Sequence, residues 1–141
     1  MTLTEFQTAV DGAKSGTNIV EVYFDFLAFM NEAIEKQYPL VIWDLDNLKG
    51  SWDLRSGTLK TVEIDIYLVN LVVPNTDHGE NRLSVWDTMI ADLIEYLNSV
   101  NDTNLISVKP DEINLELIPA GMLSMERELG VRFRIEVTLW C

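Results

Sequence analysis

Polar and apolar positions alternate most cleanly between Leu59 and Val73. Val62, Ile64, Ile66 and Leu68 fall on one side there and Glu63, Asp65 and Tyr67 on the other, a period of two that predicts a half-buried strand. The same period runs from Glu128 to Trp140, with Val131, Phe133, Ile135, Val137 and Leu139 against Arg132, Arg134, Glu136 and Thr138. Opposite charges facing each other on neighbouring strands are favourable, so Glu63 and Asp65 opposite Arg132 and Arg134 predict that these two strands are adjacent. Between them, Trp86, Met89, Ile90, Leu93, Leu97 and Val100 recur at three-and-four spacing with Asp87, Asp92 and Glu95 outside, which predicts an amphipathic helix. Two shorter apolar runs, Leu105 to Val108 and Ile113 to Ile118, are further strand candidates.

The N-terminal third is less decisive. Thr2-Leu3-Thr4-Glu5 reads as a capping box that opens a short helix ending near Gly12 or Gly16. A second helix is predicted from Asn18 to Lys36 on the spacing of Val20, Tyr23, Phe24, Leu27, Met30 and Ile34. Ile19 to Phe26 also alternates, so a strand there is the competing reading. Pro39 ends whatever precedes it, and Leu40 to Leu45 reads as a buried strand. From Asp46 to Gly57 the chain carries Asn47, Gly50, Ser51, Ser56 and Gly57, loop or hairpin-arm chemistry interrupted by Trp52 and Leu54. Strands grouped as hairpins without single-helix alternation predict an α+β domain over residues 1–141. Its expected form is a mainly antiparallel sheet of four to five strands with two to three helices packed on one side.

Charge narrows the partners. The 141 residues hold 10 Lys and Arg against 23 Asp and Glu, a net charge of −13. Phosphate backbones and anionic membranes repel such a surface, so neither sequence-specific nucleic-acid binding nor membrane association is expected. No run approaches the roughly 18 apolar residues of a membrane span, and the first residues lack the pattern of a signal peptide, which predicts a protein made and kept in a cytosol. The single cysteine, Cys141, forms no intramolecular disulfide and no cysteine metal cage.

Candidate chemistry is sparse. Asp44 and Asp46 project from one strand face about 7 Å apart and could share a cation, yet an EF-hand reading fails because Lys49 and Arg55 stand where Gly and Glu are required. Glu63 and Asp65 have the same spacing, and simple alternation accounts for them. His78 lies alone in a Pro, Asn, Asp and Gly turn, and no nucleophile elbow or phosphate-cradling glycine loop occurs. No catalytic, cofactor or metal residue is therefore assigned, and the chain is expected not to be an enzyme. Aromatic excess is the feature left over. Trp43, Trp52 and Trp140 stand at strand ends or loops, where they either complete the core or mark a protein interface.

The layout resembles the neck and tail-completion, tail-terminator-like ring proteins of tailed bacteriophages. The residues that carry the likeness are the N-terminal helix through Lys36, the strand start Tyr38-Pro39-Leu40-Val41-Ile42-Trp43 and the Leu59-to-Val73 strand. The Trp86-to-Val100 helix and the terminal Arg127-Glu128-Leu129-Gly130-Val131-Arg132-Phe133-Arg134-Ile135 complete it. These features are architectural, and no catalytic signature comes with them. The resemblance implies a non-enzymatic virion subunit, a homo-oligomeric ring on the order of six or twelve copies at the head-tail junction. It would dock on portal, neck or tail proteins and leave a channel for DNA, with no cofactor. Contact elements on this reading are the Asp46-to-Gly57 arm, the Pro74-to-Asn81 loop and the Pro119-to-Met125 turn. The interface candidates are Trp43, Trp52, Leu54, His78, Met122 and Trp140. A cytosolic protein–protein adaptor, and after it a small metal-dependent enzyme, are the competing classes.

Overall fold

The computed structural model describes residues 1–26, 37–71, 79–103, 106–108, 113–118 and 128–139. In chain order the elements are α1 (Leu3–Gly12), β1 (Glu21–Asp25), β2 (Leu40–Asp53), β3 (Thr58–Leu71), α2 (Gly79–Asp102), β4 (Ile106–Ser107), β5 (Glu116–Ile118) and β6 (Glu128–Leu139). The α+β class holds, while the sheet is larger than the expected four to five strands and partly parallel: the described residues form six strands in one mixed sheet and two helices.

The capping box at the start of α1 forms as its residues predict: the Glu5 amide donates to Thr2 Oγ1 at 3.1 Å, and the Glu5 carboxylate accepts from the Thr2 amide. The expected second helix is corrected at its beginning. Glu21 to Asp25 is a strand, because Val22 and Phe24 pack on the core while Tyr23 joins a cluster on the opposite face, and β-branched and aromatic residues suit a pleated surface. The remainder of that expected helix, residues 27–36, lies outside the described residues. β1 also makes the sheet mixed: Glu21 to Asp25 run parallel to Leu40 to Asp44.

The sheet order is β1-β2-β3-β6-β4, with β5 also paired to β6. The charge pattern read correctly: β3 and β6 are antiparallel neighbours in continuous register from Thr61–Thr138 to Leu71–Glu128, with Asp65 directly opposite Arg134. One face carries Val41, Trp43, Val62, Ile64, Ile66, Leu68, Val131 and Phe133, all buried beneath Phe6 and Val10 of α1 and Met89, Leu93, Tyr96, Leu97 and Val100 of α2. Both helices thus cover the same side, where their apolar stripes meet the sheet.

Asp92 does not fall on the outer surface as its spacing suggested. It is buried, and its Oδ1 accepts from Asn18 Nδ2 at 2.9 Å. The second sheet face is also less polar than alternation predicts. Leu40, Ile42, Tyr67 and Val69 form a smaller buried cluster there, flanked by Tyr23, Tyr38 and Ile118.

Candidate functional site

Two regions concentrate the residues that the sequence singles out: the end of the β2–β3 hairpin, and a charged ladder on the sheet face opposite the helices.

Asp46 to Gly57 is mostly strand. β2 continues to Asp53 and is paired with β3 up to Asp53–Thr58, so only Leu54 to Gly57 form the turn. Gly57 closes it with φ +72°, a left-handed conformation that disfavours side chains, and its amide donates to the Asp53 carbonyl at 2.8 Å. Among the described residues β6 pairs with β3 from Thr61 onward, and the hairpin pairs Trp52–Leu59 and Asp53–Thr58 follow that stretch. Trp52 lies here on the helix side of the sheet, its ring over Gly50, where a Cβ would meet the indole at 2.6 Å. The missing side chain lets the ring fold back beside Leu59, which is buried and whose amide donates to the Met1 carbonyl at 2.9 Å. Trp52 nevertheless remains 41% exposed, and Leu54 beyond it is 91% exposed.

The ladder crosses β2, β3 and β6. Asp44 and Asp65 are register partners, and both are buried. Arg134 is the hub: Nε donates to Glu63 Oε1 at 3.0 Å, Nη1 lies 3.3 Å from Asp65 Oδ1, and Nη2 donates to the Asn47 carbonyl at 2.9 Å. The contact with Asp65 Oδ1 is an ion pair without the alignment of a hydrogen bond. Arg132 reaches Asp65 at 3.5 Å and Glu116 at 3.6 Å, and its guanidinium sits 5.8 Å from the centre of the Tyr67 ring. The Glu63 carboxylate, before the other partners, raises the Arg134 pKa and holds the guanidinium charged. Burial pushes the Tyr67 phenol up, against the lowering influence of Arg132.

Asn47 belongs to a bulge. The register of β2 on β3 jumps between Asp44–Asp65 and Lys49–Glu63, so Leu45 to Leu48 together oppose Ile64, and Asn47 sits at φ +62°. Asp44 and Asp46 are thereby separated in environment. Asp44 is buried, while Asp46 is exposed with its amide donating to Asp44 Oδ1 at 3.1 Å. Among the described residues no group of three or more His, Cys, Asp or Glu is placed to hold a metal ion. A shallow groove between α1 and β1, lined by Gln7, Thr8, Asp11, Val22 and Phe24, brings no catalytic constellation together.

Of the six interface candidates, Trp52 and Leu54 share the hairpin end. Trp43 is corrected: it is fully buried, with its indole Nε1 donating to Tyr96 Oη at 2.9 Å and its ring packed edge-on to Phe6, so no partner reaches it. His78, Met122 and Trp140 lie outside the described residues, as do the Pro119-to-Met125 turn and most of the Pro74-to-Asn81 loop. Sequence reasoning missed Leu83 and Ile94, which are 57% and 49% exposed on α2 and lie beside, not in, the apolar stripe that the spacing predicts. It also missed the Arg134 grip on Asn47, a contact spanning 87 positions that no local pattern announces.

No known protein-family model matches the chain, and no curated protein matches it either.

Proposed function

We propose that this chain is a non-enzymatic structural subunit of a tailed bacteriophage virion, which assembles into a homo-oligomeric ring at the head-tail junction around a channel for DNA. The observation that carries the reading is the exposed apolar hairpin end. A folded chain with a full core still presents Leu54 almost wholly to solvent and Trp52 beside it, side chains that a protein contact would cover. The net charge of −13 supports the same assignment, since a negatively charged lumen lets DNA pass without adhering. Portal, neck or tail proteins are the proposed neighbours along the channel axis, and the virion, after synthesis in the bacterial host cytoplasm, is the proposed location. The mixed sheet, with both described helices on one side, carries the hairpin turn at the end of the β2–β3 pairing.

Negative-stain microscopy of the purified protein tests this reading. Closed annuli of uniform diameter with a central opening are expected. A field of single small particles at every concentration, with a tight complex formed instead with one non-viral partner, would overturn it in favour of an adaptor.

A further inference from the structure

The hairpin end is locally cationic in an acidic chain. Residues 48–60 hold Lys49, Arg55 and Lys60 against the single carboxylate Asp53. Arg55 and Lys60 are exposed, and neither makes an ion pair with the described residues. Charge of this sign beside Leu54 and Trp52 calls for a partner surface that is both apolar and anionic.

Such a surface lies on α2. Leu83, Asp87 and Ile94 recur at helical spacing beside the core-facing stripe, all exposed, and α2 as a whole carries five carboxylates and one arginine. The two patches cannot meet within one molecule. Trp86 on the first half of α2 donates its indole N–H to the Gly130 carbonyl, and Gly130 pairs with Val69. The hairpin turn follows the Asp53–Thr58 pair at the other end of β3, about 35 Å from Val69 along an extended strand, while Ile94 lies nearer the middle of β3, two residues before Tyr96, which meets Trp43 opposite Ile66. Two complementary patches at separate places on one chain define a head-to-tail contact between copies, which forms a ring when the rotation from copy to copy closes.

We propose that the hairpin end of one copy, led by Trp52, Leu54 and Arg55, docks on the Leu83–Asp87–Ile94 face of α2 in a second copy of this chain. This deepens the ring reading and rests on it. Leu54 supplies apolar burial between Leu83 and Ile94, and the Arg55 guanidinium meets the Asp87 carboxylate.

Paired charge reversal tests the contact. One variant carries Arg55→Glu and Lys60→Glu, and the other carries Asp87→Lys and Ala91→Lys, all at exposed positions. Each variant alone places like charges on both patches and is expected to run as a monomer, by light scattering, at concentrations where the unaltered protein is oligomeric. Both retain the far-ultraviolet circular dichroism of the parent. An equimolar mixture restores opposite charges at every contact and is expected to recover the parental mass. Variants that remain oligomeric alone, or a mixture that stays monomeric, overturn the docking while leaving the ring reading intact. An unaltered protein that never oligomerises overturns both.

Discussion

The Tyr96 hydroxyl joins three elements. It accepts from the Trp43 indole of β2 at 2.9 Å and donates to the Val10 carbonyl of α1 at 2.7 Å, from a fully buried position on α2. Removing it strands two buried polar groups, so Tyr96→Phe is expected to cost about 1–3 kcal/mol at neutral pH, read by urea denaturation. Burial also pushes the Tyr96 phenol far above its ordinary value, and those of Tyr67 and Tyr23 upward as well. Above the unfolded value near 10 the unfolded chain releases these protons while the folded chain keeps them. The contribution of these groups is therefore complete below about pH 10 and falls as pH rises beyond it, by up to about 1.4 kcal/mol per pH unit for the fully buried Tyr96. Tyr96→Phe is expected to show a shallower alkaline decline than the parent, and an unchanged slope would contradict this assignment. Arg134 is the second residue on which several contacts converge. Arg134→Ala leaves Asp65 buried with only Arg132 at 3.5 Å and frees the Asn47 carbonyl. A loss of about 2 kcal/mol is expected, below the range for a fully buried pair because the guanidinium is 30% exposed. A loss under about 0.5 kcal/mol would place the hub among ordinary surface ion pairs.

Elements differ in how far the chain announces them. The β3–β6 pairing was legible because both strands keep a strict period of two and their charges are complementary, and the register sets Asp65 against Arg134. The capping box and the α2 stripe were legible because their causes lie within a few residues. β1 was not, since Ile19 to Phe26 satisfies two periods at once and only the parallel partner Leu40 to Asp44 decides between them. The bulge at Leu45 to Leu48 was invisible for the same reason at longer range, its anchor being an arginine on the last strand. Of the candidate site, Trp52 and Leu54 could be read from loop-like composition around apolar residues, whereas Trp43 could not be separated from them without knowing that Tyr96 and Phe6 enclose it. The hairpin itself offers a direct test. Gly50→Ala introduces a Cβ 2.6 Å from the Trp52 ring, which must swing outward. A loss of about 1–2 kcal/mol with a red shift in tryptophan fluorescence is expected. Unchanged emission and stability would show that the ring does not rest on Gly50.

At the scale of the whole molecule, one core joins both helices to one sheet face, and the second face is held by a small apolar cluster and the arginine ladder. Net charge of −13 is carried unevenly, with the hairpin end locally positive and α2 strongly negative. On the proposed ring reading, this distribution keeps DNA from adhering and joins copies head to tail. The most direct measurement is the solution mass by light scattering across a hundredfold range of concentration. A discrete mass equal to a fixed multiple of the 16.1 kDa chain, constant over the upper part of that range, is the predicted result. A monomer throughout, or a mass that grows without limit as open filaments do, would contradict the ring.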